Sequence, residues 1–238
     1  MSNPGLKAQR TGPSMIIQMT AKGGTAPYTW SATGLPTDVT INATTGLISG
    51  TPTQTLINAT VTVSAKDTTG RSTQSRFEIT VVPPDWTCPS GGQKLVNPGF
   101  ESGGTGWWEN TDNINRHTGA LARRTGTWAA ALRADSAGGA IISQRAQVPR
   151  ECAWSTLTFW AKFVPLQGVT DDNDAMRLLL NDEPVFFLKG NTMGTGYRQY
   201  TVDLSRYAGQ TVILWFTGWG DYKNISSIVL DDFALNAR

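Results

Sequence analysis

Histidine is almost missing from this sequence: His117 is the only one in 238 residues. Neither a Gly-x-Ser-x-Gly elbow nor a His-Glu-x-x-His helix occurs, so serine hydrolases and zinc peptidases lack their usual parts. A hydrolase built on His117 would need Asp and Ser partners that the sequence does not place, and Asn115-Arg-His-Thr-Gly119 reads as a loop. Charge is also sparse, 20 Lys and Arg against 18 Asp and Glu, a net of +2. With no basic stripe, nucleic acid is not an expected partner. Apolar runs such as Val212–Phe216 fall far below the roughly 20 residues of a spanning helix, so no membrane span is expected. No signal peptide opens the chain, since Met1-Ser-Asn-Pro4 leads directly into domain-like sequence. The expectation is a piece of a longer secreted precursor.

What is present is punctuation. The chain holds 25 glycines and 12 prolines, and short apolar runs alternate with Gly, Pro, Asn and Asp from end to end, without helical periodicity. That pattern predicts an all-β protein. The length exceeds one typical domain and makes two the expectation. Cys88 and Cys152 are read as one disulfide tying the opening of the second domain to a later strand, which implies an oxidising compartment. The alternative is two unlinked buried thiols.

In the first half, strands are predicted at 14–20, 28–31, 39–41, 47–49, 59–65 and 76–82. Val61, Val63 and Ala65 alternate with hydroxyl residues, as in a sandwich strand with one dry face. About seven short strands in roughly 80 residues fit an immunoglobulin-like sandwich. Gly23-Gly-Thr-Ala-Pro-Tyr-Thr-Trp-Ser-Ala-Thr-Gly-Leu-Pro36 and Ile41-Asn-Ala-Thr-Thr-Gly-Leu-Ile-Ser-Gly-Thr-Pro52 resemble the bacterial "putative Ig" family, related to cadherin-like domains. The resemblance implies a spacer. Gly46 and Gly50 are expected at φ > 0. Asp67 sits where cadherin-like relatives can hold calcium, but a lone Asp before a Gly is read as a turn residue, and Trp30 as core. The Asn-x-Ser/Thr triplets at Asn42, Asn58 and Asn224 are given no functional weight.

The assigned domains are 1–82, the Ig-like β-sandwich spacer; 83–91, a linker stiffened by Pro83-Pro84; and 92–238. In the last, strands are predicted at 129–133, 140–144, 155–163, 176–181, 185–188, 198–204, 211–216 and 227–235, after an opening strand at Leu95-Val96. Leu95-Val-Asn-Pro-Gly-Phe-Glu-Ser-Gly-Gly-Thr-Gly-Trp-Trp108, with Cys152-Ala-Trp-Ser-Thr-Leu-Thr-Phe-Trp160, 200–212 and Leu230-Asp-Asp-Phe-Ala-Leu235, resembles the carbohydrate-binding-module-like (galactose-binding-like) jelly rolls. Modules of this kind accompany secreted bacterial peptidases and glycosidases. The fold expected is therefore all-β, an Ig-like β-sandwich followed by a β-jelly-roll sandwich.

The resemblance implies a structural Ca2+ between the first and last strands, held by Glu101 and by Asp231 or Asp232 with backbone oxygens. Strand alternation would point Asp231 and Asp232 to opposite faces, leaving one of them to bind. The alternative is that Glu101 pairs with an arginine or caps a turn. Asp171-Asp-Asn-Asp174 lacks the Gly and Glu of a calcium loop and is read as a solvated loop. For a ligand, Trp160 is expected to face outward from a strand whose other face carries Leu157, Phe159, Ala161 and Phe163. Trp160, Trp215, Trp219, Asp221 and Tyr222 form the candidate sugar-binding surface, with sandwich packing as the alternative for each tryptophan. Trp107 is read as core. No catalytic residue is assigned, although two-carboxylate chemistry through Glu101, Glu109 and Asp112 remains open.

These readings lead to a non-catalytic extracellular accessory fragment that binds polysaccharide or another extracellular polymer and holds a parent secreted enzyme, linked in cis, near its substrate. The alternatives are a structural or protein-interaction module without a small ligand, and a weak hydrolase.

Overall fold

The computed structural model describes residues 1–133, 139–165, 174–220 and 226–238. It is an all-β molecule of two compact units, Met1–Gly91 with Pro149–Trp154 and Arg238, and Gly92–Val148 with Ser155–Ala237. Cys88 and Cys152 form the disulfide, their Cα atoms 5.0 Å apart. Cys152 lies in the connection 149–154, which groups with the first unit, and not in a strand of the second.

The first unit is an Ig-like sandwich. One sheet runs β1 (Lys7–Arg10), β7 (Ser72–Val82), β6 (Leu56–Lys66), β3 (Thr29–Thr33). The other runs β2 (Met15–Gln18), β5 (Leu47–Gly50), β4 (Val39–Ile41). Strand β1, parallel to β7, is one the sequence reading missed: all four of its residues are half-buried, so no alternation marks it. Val61, Val63 and Ala65 of β6 are buried together with Trp30 and Ile48. Gly46 and Gly50 both take positive φ. At Gly46 a Cβ would press on the Trp30 ring, so the turn and the core residue need each other. Asp67 is a turn residue, its Oδ1 accepting from the Thr69 and Arg71 N–H groups, each at 2.9 Å. These bonds, led by that from the Thr69 hydroxyl, hold its carboxyl below the ordinary value.

The second unit is a jelly-roll sandwich. Its strands are β8 (Gly92–Gln93), β9 (Trp108–Glu109), β10 (Ile114–Asn115), β11 (Ala129–Arg133), β12 (Ala140–Gln147), β13 (Ser155–Val164), β14 (Ala175–Leu180), β15 (Glu183–Lys189), β16 (Arg198–Asp203), β17 (Thr211–Trp219) and β18 (Ser227–Ala237), with a short helix α1 (Gly190–Met193) after β15. One sheet has the order β10-β11-β18-β13-β16, with β8 also paired to β18. The other has the order β15-β14-β17-β12-β9. Strand β13 alternates strictly, burying Leu157, Phe159, Ala161 and Phe163. Phe159 lies at the centre, its ring 5.3–5.7 Å from those of Phe186, Tyr200, Phe216 and Phe233.

The motif opening this unit works through side chains. Leu95-Val96 is not a strand; the buried Gln144 amide takes the place of a strand partner, accepting from Val96 N–H at 2.8 Å and donating to Val96 C=O at 2.9 Å. Asn97, at φ 49°, donates to the Gly103 and Thr105 carbonyls and accepts from Ser102 N–H, closing the glycine-rich turn. Phe100 and Trp107 enter the core against Phe233.

Candidate functional site: an aromatic sheet face

In β17, Val212, Leu214 and Phe216 are buried, which turns Ile213, Trp215, Thr217 and Trp219 to the outer face of the β15-β14-β17-β12-β9 sheet. The register then assembles rows across it. Ser143 pairs with Trp108 on one side and Trp215 on the other, and Trp215 pairs with Leu179. Because serine is small, the two indoles meet above it, stacked with ring centroids 5.5 Å apart at 30°. In the next row Thr217 pairs with Ile141 and Arg177, and Arg177 with Phe187. Beyond it Ala175 separates Trp219 from Lys189.

Phe187 and Trp219 meet at 5.7 Å. The Arg177 guanidinium carbon lies 5.3 Å from the Trp219 ring centroid, while its Nε donates to Thr217 Oγ1 at 3.3 Å. Arg177, Pro184, Phe187 and Trp219 border a depression of about 430 Å³. Trp108 and Phe187 remain 53% and 52% exposed, well above what packing alone would leave for such large apolar groups. The face combines indole and phenyl surfaces with a fixed hydrogen-bond donor. Apolar sugar faces can stack on the rings, and their hydroxyls can meet the guanidinium.

Of the candidate ligand residues, Trp215 and Trp219 lie on this face. Asp221 and Tyr222 lie outside the described residues, as do Asp171, Asp172 and Asn173; Asp174 is buried. Trp160 lies on the other sheet, in β13, paired with Asp231 and Gln199. It faces outward from that sheet, but the Arg124 guanidinium carbon sits 3.7 Å from its ring centroid, where a sugar would have to lie. Trp160 therefore shares no surface with Trp215. Sequence reasoning missed Trp108, Phe187 and Arg177. Neighbouring residues in extended chain point to opposite sides, so a buried Trp107 implies an outward Trp108, and an inward Phe186 an outward Phe187.

The candidate metal residues do converge, at the end of the unit where β18 meets the Asn97–Glu101 turn. Phe233 N–H donates to Pro98 C=O at 2.9 Å. A β-bulge opposite Phe159, with Asp232 at φ 47°, breaks the strand alternation. This corrects the expectation that Asp231 and Asp232 diverge, because both reach Arg124-Thr125. Asp231 Oδ2 accepts from the N–H groups of Arg124 (2.7 Å) and Thr125 (3.1 Å), and its Oδ1 from Asp232 N–H (2.8 Å). Asp232 takes the Arg124 guanidinium at 2.7 Å and the Thr125 hydroxyl at 2.5 Å. Glu101 caps the turn: Thr127 N–H reaches both its oxygens, and Trp128 N–H reaches Oε1 at 3.1 Å. Gly126 is required there, since a Cβ would overlap the Glu101 carboxylate.

A calcium ion needs six to eight oxygen ligands with free lone pairs. Here each oxygen of the three carboxylates already meets an N–H or O–H donor. As arranged, the residues form a hydrogen-bonded clasp, and an ion held by these carboxylates would have to compete with its donors. The melting temperature is accordingly expected to be the same with and without a chelator. A rise of several degrees on adding Ca2+ would show that the ion displaces these donors.

The other ionisable candidates also serve turns. Glu109 accepts from Asn113 and Ile114 N–H at 2.6 and 2.8 Å. Asp112 accepts from the Asn115 amide. His117 Nε2 lies 2.9 Å from Asn113 C=O.

Residues 2–82 match the "Putative Ig domain" family. The matched range falls within the first unit. Comparison with curated proteins gives no match. Among solved structures, the chain is similar to TmCBM61 in complex with β-1,4-galactotriose, at TM-score 0.47 and 16% identity, covering 61% of this chain and 99% of that one. It is also similar to the CBM22-1–CBM22-2 tandem domain of Paenibacillus barcinonensis Xyn10C, at TM-score 0.41 and 13% identity, covering 64% and 47%. A third is the secreted serine protease VesC from Vibrio cholerae, at TM-score 0.36 and 12% identity, covering 95% and 44%. The chain thus spans less than half the length of the last two.

Proposed function

We propose that the chain is a non-catalytic extracellular accessory fragment, in which the Ig-like unit is a spacer and the jelly roll binds polysaccharide to hold a linked secreted enzyme near its substrate. One observation carries the reading: Trp108 stacks on Trp215 beside Trp219, Phe187 and Arg177 on one outward sheet face, with Trp108 half-exposed. Leaving such area in water is unfavourable by roughly 25 cal/mol per Å², which a sugar-stacking role would offset. The disulfide supports an extracellular setting. Among the described residues no helix is long and apolar enough to cross a membrane.

Affinity electrophoresis and pull-down against a polysaccharide panel test the reading. Trp215→Ala and Trp108→Ala are each expected to weaken binding at least tenfold, about 1.4 kcal/mol, while Trp160→Ala leaves it unchanged. If no polysaccharide in the panel is retained, the reading is wrong. If Trp160→Ala alone abolishes binding, the site lies on the other sheet.

A further inference from the structure

Among the described strand residues, the charges of the aromatic face are of one sign. Its outward strand residues include three cations, Arg145 of β12, Arg177 of β14 and Lys189 of β15, all exposed. Among the described strand residues that face outward with them, none is Asp or Glu: β12 presents Ile141, Ser143, Arg145 and Gln147, and β17 presents Thr211, Ile213, Trp215, Thr217 and Trp219. Strands β14 and β15 add Ala175, Arg177 and Leu179, then Pro184, Phe187 and Lys189. The described carboxylates that adjoin these residues in sequence are engaged elsewhere: Glu109 caps the 110–114 turn, Asp174 is buried, and Glu183 meets Arg206 and the Tyr207 hydroxyl. Over the whole chain the balance is nearly even, so this one-sidedness belongs to the face.

The cations are also spaced along it. Lys189 lies in the row of Trp219, and Arg177 in the row of Phe187. The row of Trp215 and Trp108 follows, and Arg145 lies in the row beyond, paired with Ile213. Successive rows are two residues apart, about 6.7 Å, so the cations spread over roughly three such steps beside the rings. Arg177 makes two contacts that hold it on the face. Its Nε donates to Thr217 Oγ1 and its guanidinium carbon lies 5.3 Å from the Trp219 ring centroid, which positions a planar fork suited to bidentate contact with a carboxylate.

Resting on the polysaccharide reading above, we propose that this face selects acidic polysaccharides, with the carboxylates of uronic acid residues meeting Arg177, Arg145 and Lys189 while the sugar rings stack on Trp108, Trp215 and Trp219. The aromatic surface supplies affinity for a chain of sugars and the cations discriminate by charge. A neutral polymer of the same shape would offer the three cations no anionic group.

The test uses the full chain on a glycan array carrying uronate polymers and their neutral counterparts, including polygalacturonate beside its methyl ester and hyaluronan beside its carboxyl-reduced form. Wild type is expected to bind at least one uronate polymer tenfold or more tighter than its neutral counterpart, with the advantage shrinking between low and high salt. Arg177→Ala is expected to remove most of that advantage and Arg177→Lys to keep part of it, whereas Trp215→Ala weakens both members of a pair alike. Equal or tighter binding of neutral polymers, or an advantage untouched by Arg177→Ala and Arg145→Gln, overturns the acidic preference and leaves the polysaccharide reading standing. Retention of no glycan at all overturns both.

Discussion

Phe159→Ala is expected to cost the second unit about 3–5 kcal/mol of stability, at the upper end of large-to-small core changes. The ring is fully buried and surrounded by four others, two of them, Phe186 and Phe216, from the opposite sheet. Aromatic neighbours have few rotamers and are held on paired strands, so the space cannot collapse and most of the cavity would persist. The neighbouring Trp160→Ala removes more atoms yet is expected to cost under about 1.5 kcal/mol, because that ring faces outward beneath the Arg124 guanidinium. Denaturant midpoints of the two variants against wild type would check the ordering. A smaller loss for Phe159→Ala than for Trp160→Ala would contradict the assignment of the faces.

The second large effect is pH dependence at Asp231. Burial, aided by the Asp232 charge, pushes its carboxyl up to about 6, against the N–H groups of Thr125 and Arg124 that favour the ionised form. A carboxyl whose pKa is higher folded than unfolded stabilises the fold when protonated. That contribution is complete below about pH 4 and is lost as pH rises through about 6. Between these limits the shift corresponds to roughly 2–3 kcal/mol. The unfolding free energy of the second unit should therefore carry a component that falls from pH 4 to 7. Asp67 works with the opposite sign, but in the first unit. In Asp231→Asn the falling component should vanish. The variant loses the bond from Asp232 N–H, so it should start below wild type at pH 4.5 and close the gap by pH 7.5. Parallel pH profiles for the two proteins would show that Asp231 is not the group responsible.

Much of the fold was legible because burial is two-sided. Strands such as β6, β13 and β17 carry period-two alternation, which one dry face imposes on any sequence. Strand β1, half-buried throughout, carries no such mark. The candidate site was only half legible. Trp215 and Trp219 followed from the alternation of β17. Trp108 belongs to a two-residue strand, too short to show a period, and its place beside Trp215 depends on both pairing with Ser143, a register no local pattern encodes. Trp160 faces outward as its alternation predicts, but its neighbour there, Arg124, is not legible locally because it lies in a loop 36 residues earlier in the chain. Glu101 posed the same difficulty: the N–H groups it caps belong to Thr127 and Trp128, and only the fold brings them near.

The bulge at Asp232 has a meaning beyond the clasp. In β18 the inward residues are Ile228 and Leu230 before it, and Phe233, Leu235 and Ala237 after it. Even numbers give way to odd ones, so the strand is two half-strands out of phase by one residue, and Asp232 is the phase shifter that lets both halves face the same core. Deleting Asp232 would not simply trim a loop. It would force a choice between the half that places Ile228 and Leu230 and the half that places Phe233, and either choice would turn hydrophobic side chains into water. The run Ile-Val-Leu-Asp-Asp-Phe-Ala-Leu is in that sense a hinge in the strand's code, and the two acidic residues mark where the reading frame of the sheet changes.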